Sequence, residues 1–355
     1  SYSTSITNCY NTGSVTGSSY YVGGIAGRAY SLTITNCYNT GSVTGPGYVG
    51  GIAGEASDSP ITNCYNTGSV IGSRYVGVIG GGRYVGGIAG RTSSSSTITN
   101  CYNRGEVTGS NNYVGGIAGE ASYSTSITNC YNTGSVTGSN YVGGIAGSAY
   151  SSTITNCYNT GSVIGSGNRG GIAGSASDST ITNCYWGGNC TLSVAVGSGS
   201  ATNCGTCTIE EVKSLSWYSD SSKWNSSYPW DFENTWSIVE GMNDGYPILM
   251  PTLEIMQFTI TYHPNGASGS EVVESKVGSE SYTIRSNMFS RSGYNFTGWN
   301  TEANGGGVSY SAGSSYSDLA NLDLYAQWSR ITYTIKYDKN ASDATGSMAN
   351  TTKYY

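Results

Sequence analysis

The sequence predicts an all-β protein whose first half is a parallel right-handed β-helix, a solenoid of short strands. Three observations carry that prediction. The stretch "ITNCYNTGSVTG" runs from Ile6 to Gly17 and returns unchanged from Ile34 and Ile127. Near-copies begin at Ile61, Ile98 and Ile154, and a truncated "ITNCYWGGN" at Ile181. The recurrent cysteines Cys9, Cys37, Cys64, Cys101, Cys130, Cys157 and Cys184 are spaced 28, 27, 37, 29, 27 and 27 residues apart, a period that marks stacked arrays. Finally, the pieces of each unit, "TITNCYN", "GSVTG" and "YVGGIAG", are short, β-branched or aromatic, and bounded by Gly, Asn or Ser. They read as strands with turns between them, and no helix-period stripe precedes residue 208.

Three short strands and three turns in a repeat of this length make one coil of a β-helix. Coils then stack about 4.8 Å apart, and parallel crossovers are right-handed by default. Repeat length varies only after "VTG" and after "GIAG", so those are the outward loops. The expected core letters are the leading Ile, the Val of "GSV", and the Val and Ile of "VGGIAG". Gly23, Gly24 and Gly27 let the backbone turn tightly and approach its neighbour.

A stack also explains why polar letters repeat so faithfully, because each residue lies over its counterpart. Asn8, Asn36, Asn63, Asn100, Asn129, Asn156 and Asn183 are expected to form an amide ladder. Tyr10, Tyr38, Tyr65, Tyr102, Tyr131, Tyr158 and Tyr185 are expected to stack ring over ring. Cys9, Cys37, Cys64, Cys101, Cys130 and Cys157, with Cys184 as the seventh, should form a column of mostly unpaired thiols, each a small, weak hydrophobe. After "GIAG" the residues read Arg28, Glu55, Arg91, Glu120, Ser148, Ser175, an alternating-charge column. As exposed pairs these contribute about 0.2–1 kcal/mol each and mainly set register. The 37-residue interval holds a duplication, "SRYVGVIGG" then "GRYVGGIAG", read as a slippage insertion that protrudes as a loop, with a binding role as the alternative. In the sixth unit Asn168 and Arg169 replace Tyr and Val, and a charge is costly inward, so that edge should open to solvent.

The composition bounds the function. With 355 residues the chain has room for several domains; it holds 53 Gly and 31 Tyr, and only 10% of it is charged. No stretch approaches the roughly 20 apolar residues of a membrane helix. Residues 1–207 carry six Arg and five acids, near +1, while 208–355 carry nine basic and sixteen acidic groups, near −7. Neither half has the basic face that nucleic acid requires. Ten Cys in so polar a chain suit an extracellular setting. The chain opens with "SYSTSITNC", which recurs inside Ala121–Cys130, so it is expected to start at a repeat boundary, as a processed or trimmed product would.

"YNTGSVTG" followed by "YVGGIAG" resembles the GLUG repeat of large bacterial and archaeal surface proteins. The resemblance covers residues 1–185 and implies a surface protein. "WDFENTWSIVEGMNDGYPIL", from Trp230, looks like the closing segment that follows such arrays. An aromatic-rich segment can cover a solenoid's last coil, and Trp186, Trp217, Trp224, Trp230 and Trp236 would supply the apolar area. "TIEEVKSL" begins with Thr208 and has Glu211 three residues on, a capping box that predicts one short helix. From Phe258, "GYNFTGWNTEANGG" and "LDLYAQW" are similar to the Listeria–Bacteroides repeat, which implies a β-grasp-like stalk module over about 258–329. "ITYTIKYDKNASDATGS" starts a second copy too short to bury its own face, hence either cut or completing another chain. The expected domains are a β-helix array at 1–190 with about six and a half coils, a cysteine- and tryptophan-rich cap at 191–255, a β-grasp-like module at 256–329, and an incomplete second module at 330–355.

Chemistry is sparse. His263, in "YHPNG", is the one histidine and reads as a turn residue beside Pro264 and Gly266. Serine or cysteine catalysis would need a partner that cannot be named. The paired carboxylates of glycosidases are missing; Glu55, Asp58, Glu106, Glu120 and Asp178 are scattered over different coils. Cys184, Cys190, Cys204 and Cys207 fall close together, but only Cys204–Cys207 is a C-x-x-C, so a zinc site lacks its second knuckle. Disulfides tying the last coil to the cap are expected instead. No catalytic residue, metal or cofactor is assigned. The expected function is a non-enzymatic extracellular structural or adhesive surface protein, extending to the subunit of a head-to-tail fibre. The alternatives are a carbohydrate-binding adhesin using tyrosine faces as sugar platforms, and a β-helix polysaccharide hydrolase or lyase. The expected partners are further copies of the chain, through open strand edges, or a surface glycan or protein, with no nucleic acid and no membrane span.

Overall fold

The computed structural model describes residues 4–73, 84–110, 113–239, 242–250, 257–278, 280–318, 320–343 and 345–354. Two units divide the chain, Ser1–Thr252 and Leu253–Tyr355.

The first unit is a parallel β-solenoid with one coil per repeat. Its coils carry five short strands where three were expected, as in Leu32–Thr35, Tyr38–Asn39, Val43–Gly45, Tyr48–Gly50 and Ala53–Ser57. The reason is local. Asn36 and its counterparts sit at φ near +53°, a left-handed corner that breaks "TITNCYN" into an isoleucine strand and a tyrosine strand. A bend after "YVG" likewise splits "YVGGIAG". Equivalent strands stack into five parallel sheets, or facets, with no slip of register: Ile34 pairs with Ile6 and Ile61, and Tyr65 with Tyr38 and Tyr102. The 37-residue interval leaves this register intact, since Val70 pairs with Val107. The loop expected there falls on residues 74–83, outside the described residues.

Inside run the predicted core letters, including Ile34, Val43, Val49 and Ile52 and their counterparts. Arg169 is exposed, as expected from the cost of burying a charge. The stack continues past residue 190. Val196–Ser198 extends one facet and Gly205–Thr206 extends the tyrosine facet as its eighth strand. The signal for this further coil was present in "TNC" at Thr202–Cys204, without its tyrosine.

The aromatic segment begins with the predicted capping-box helix, Ile209–Val212, in which Thr208 and Glu211 cap each other. A second short helix, Leu215–Tyr218, follows, then an antiparallel pair, Trp236–Ser237 with Ile248–Leu249. All five expected tryptophans are buried. Four of them pack on the side of the tyrosine facet instead of closing the last coil's end: Trp236 lies 6.3 and 5.8 Å from Tyr131 and Tyr158, and Trp217, Trp224 and Trp230 surround Tyr185. A column of ring edges offers more apolar area than a coil end made of backbone.

In the second unit one sheet has the order Val272–Val277, Gln257–His263, Leu322–Arg330, Tyr294–Asn300, Ser309–Tyr310. Leu322–Arg330 runs parallel to Gln257–His263, and the other pairs are antiparallel. A hairpin with the last strand returning beside its first is the β-grasp arrangement. Ile260, Tyr262, Trp299, Leu324 and Ala326 form its core. The tail makes one exposed antiparallel hairpin, Thr332–Ile335 with Thr351–Tyr354.

Candidate functional site

The side chains that repeat most faithfully meet one another in columns, and their geometry decides what they can do. Cys37, Cys64, Cys101, Cys130, Cys157 and Cys184 are fully buried. Each thiol donates to the carbonyl two residues earlier, at 3.2–3.3 Å, as Cys37 does to Thr35 and Cys130 to Thr128. Backbone N–H groups of Cys9, Cys37 and Cys64 donate to the Sγ of the next coil at 3.4 Å. Burial pushes Cys64, Cys130 and Cys184 up, and a hydrogen bond with Cys64, followed by burial, does the same to Cys37. Burial also acts on Cys101 and Cys157, but hydrogen bonds from the neighbouring rungs act the other way and lower them, so what keeps the column from reacting is its complete burial.

All ten cysteines stand as free thiols. None of the expected disulfides is formed here, and the place of Cys204 is set by the stack. With Tyr185 paired to Gly205, Cys204 is the next rung after Cys184, and its Sγ bonds Thr202 O at 3.1 Å as the other rungs do. It points along the column, not toward the cap. Cys190 lies beside Asn159, and burial, then Glu211, pushes Cys207 up to about 12.

The amide ladder exists on the other asparagine. Asn11, Asn39, Asn66, Asn103 and Asn132 each donate Nδ2 to the Oδ1 of the next coil at 2.7 Å, ending on Asn159. The second Nδ2 hydrogen goes to the carbonyl two residues on, for example Gly68 and Gly134 at 2.7 Å. From Asn39 to Asn159 these side chains are fully buried, yet fully bonded. The asparagines expected to form the ladder are instead the left-handed corners, where a short side chain tolerates the conformation; only Asn129 to Asn100 bond each other, at 3.3 Å. Two of those corners hold the aromatic segment. Asn156 donates to Pro229 O at 3.1 Å, and Asn183 to Tyr228 O at 2.7 Å while accepting from Asn225 N at 2.7 Å. The buried ladder also explains "GG": a Cβ on Gly87 or Gly116 would collide with the next coil's backbone and with the Asn103 or Asn132 carboxamide. Trp186 takes the ladder position after Asn159 and ends the file.

Tyrosine rings stack as expected. From Tyr10 to Tyr185 successive centroids are 4.8–5.2 Å apart with planes within 8°. Each face is therefore occupied by the next ring. A sugar platform needs a free face, and the column offers mainly edges. Beyond that, Tyr158 Oη donates to Pro247 O and Tyr185 Oη meets Tyr218 Oη at 3.1 Å, both under the aromatic segment.

The charge column forms through Arg28–Glu55 at 2.7 Å, Glu55–Arg91 at 3.3 Å and Arg91–Glu120 at 3.2 Å. It is less exposed than expected: the Glu55 side chain is only 5% accessible. Arg28 and Arg91 also lie over Tyr21 and Tyr48. The remaining array acids accept hydroxyl bonds, Asp58 from Ser31, Glu106 from Thr108 and Asp178 from Ser177. Arg91 stands between Glu55 and Glu120, so these two carboxylates have no gap for a substrate. Among the described residues no three His, Cys, Asp or Glu converge on a metal position.

His263 ends a strand and is not simply a turn residue. Its Nδ1 meets Glu271 at 2.7 Å, its Nε2 meets Asp323 at 2.9 Å, and the ring stacks on Tyr325 at 4.3 Å. Burial works to lower its pKa, but the hydrogen bonds and charges of Asp323 and Glu271 outweigh it and raise the value. The partners lie 8 and 60 residues away, so no local pattern signals this clasp.

The stacked, ladder-bearing coils define a β-solenoid repeat protein. The GLUG motif profile matches residues 18–44, 45–71, 81–108, 110–137 and 138–164, and the Listeria–Bacteroides repeat domain matches 258–327. This chain thus carries GLUG repeats followed by a Listeria–Bacteroides repeat domain. A protein provisionally named a Gly-rich membrane protein, from Evansella cellulosilytica, is 32% identical over 127 residues. That match spans 32% of this chain but only 13% of the relative's length. A crystal structure provisionally titled an immunoglobulin A1 protease from Bacteroides ovatus is 24% identical, covering 68% of this chain and 74% of its own, with a TM-score of 0.46. A likeness of that size carries no argument about activity.

Proposed function

We propose that this chain is a non-enzymatic, extracellular structural region of a bacterial or archaeal surface protein, with an adhesive role. One observation supports it above the rest: the repeated Cys, Asn and Tyr side chains are occupied by their own copies in neighbouring coils, so repetition produces a rigid rod and not a set of reactive groups. The two repeat families and the membrane-protein name of the Evansella relative favour the cell surface. A β-grasp-like module after the rod fits a stalk. The fibre is the finer part of this reading. The tail hairpin has open edges, so strand addition between copies is the route to assembly.

The test is display of the whole chain on a non-adherent bacterium, with retention measured under flow on glycan- and protein-coated surfaces. Retention above that of an empty display carrier is expected. No retention on any surface would remove the adhesive role, and turnover of a polysaccharide would overturn the non-enzymatic reading. Light scattering of the chain with and without residues 331–355 tests the fibre; equal behaviour of the two removes the tail from it.

A further inference from the structure

The isoleucine facet turns a regular grid of hydroxyls to the outside. Its seven parallel strands run from Thr4–Thr7 to Thr180–Thr182. Alternation along a strand sends each Ile inward, so the residues on either side of it face out. One outward row has a threonine on every strand, from Thr7 through Thr35, Thr62, Thr99 and Thr128, in strict register. The other row carries Thr33, Thr97, Ser126 and Thr153, with Pro60 as its break. Rows of this kind repeat at about 4.8 Å between strands and about 6.6 Å along a strand.

The fold itself does not use these hydroxyls. Among the described residues, the one side-chain hydrogen bond made by a hydroxyl of these rows is Ser126 to Thr128 at 3.0 Å. Thr182, in the same row but beneath the aromatic segment, is 1% exposed, and its Oγ1 has no partner at all. Strand propensity would accept Val at these places equally well. The rows themselves hold no charge and no aromatic ring, and the one recess along them, lined by Thr153, Thr180 and Asp178, lies beyond the strand Ser126–Thr128. An ionic ligand therefore finds no counter-charge, and a sugar no ring to stack on. What the face offers is period, with a methyl and a hydroxyl at each point.

A periodic surface is useful to a periodic solid. We propose that this threonine face binds ordered water, that is, the surface of ice, over the strands from Thr4–Thr7 to Ser126–Thr128. Hydroxyls hydrogen-bond the lattice waters, and the methyl groups between them hold intervening waters in place. Strand spacing and the two-residue step lie close to repeat distances of the ice lattice. Beyond Ser126–Thr128 the aromatic segment covers one row, since Thr155 and Thr182 are buried and the neighbouring corners bond Pro229 and Tyr228.

The experiment uses the whole chain, its fold checked by circular dichroism, in nanolitre osmometry and an ice-recrystallisation assay. Faceted crystals and suppressed recrystallisation are expected. Thr62→Tyr and Thr99→Tyr should lose both effects while remaining folded, and Ile71→Tyr, an exposed site on another facet, should keep them. A folded chain without effect on ice overturns the proposal, as do tyrosine variants as active as the parent. Retention on crystalline cellulose or chitin without any ice effect would assign the face to a polysaccharide and overturn it equally.

Discussion

Replacing Asn103 by Ala should be far more damaging than replacing Asn100, three residues away. Asn103 accepts from Asn66 at 2.7 Å and donates to Asn132 at 2.7 Å and to Gly105 O at 2.8 Å, all within the core. Truncation leaves one N–H and two acceptors short of a partner. Each buried orphan costs about 1–3 kcal/mol, so the loss is at least about 3 kcal/mol. That is a large part of the roughly 5–15 kcal/mol that holds a domain folded. Asn100 sits at φ 52° on a corner, and Ala there incurs the left-handed penalty of about 1–2 kcal/mol and loses one long, part-buried bond from Asn129 at 3.3 Å. Asn100→Gly should be close to neutral. Urea unfolding followed by far-UV circular dichroism, with thiol accessibility as a second probe, measures both; two probes matter because coils can open separately. Equal midpoints for Asn103→Ala and Asn100→Ala, or a greater loss at Asn100, would refute the buried ladder.

Gly116→Ala drives a Cβ into the next coil's backbone and the Asn132 carboxamide, and should prevent normal stacking, read as lost cooperativity in thermal melts. Glu55→Gln should lower stability by about 1–3 kcal/mol, because a nearly buried carboxylate loses two guanidinium partners; the half-exposed Arg28 keeps the figure below that of a fully buried pair. The His263 clasp raises a histidine pKa, so its stabilisation is fully present below the unfolded value near 6.5 and is lost as pH rises through the folded value. Urea midpoints of the module should therefore fall on the alkaline side in the native chain and lose that component in His263→Gln. Alkylation of the native chain should label Cys9 first, and all ten thiols should label after unfolding without reductant. Fewer than ten would reveal a disulfide.

Much of the solenoid was legible because its cause is local and repeated. The cysteine spacing announced the coil, the leading Ile and the valines announced the core, and the tyrosines of "CYN" announced their own stack. The error over the ladder has a physical origin. In "TNCYN" both asparagines repeat, and only the left-handed turn at the first shows that the second faces inward. That turn also separates two strands that the letters "TITNCYN" present as one. The aromatic segment was legible as a cover but not in its place. Nothing in "WDFENTW" says that Trp236 will meet Tyr131 and Tyr158 on a facet's flank. The His263 clasp joins residues from two strands and one just before a third, and has no signature before the chain is folded.

Removal of one whole coil tests the stacked solenoid most directly. Deleting Cys101 through Asn129 takes out the 29 residues between one ladder position and the next. It brings Asn66 beneath Asn132 and Cys64 beneath Cys130. A register set by identical rungs predicts a folded protein with an unchanged far-UV spectrum and nine buried or accessible thiols in place of the ten. A companion deletion of about half a coil, which sets corners against strands, should not fold. If the whole-coil deletion unfolds while the half-coil deletion folds, or if both behave alike, the repeat is not the stacking unit.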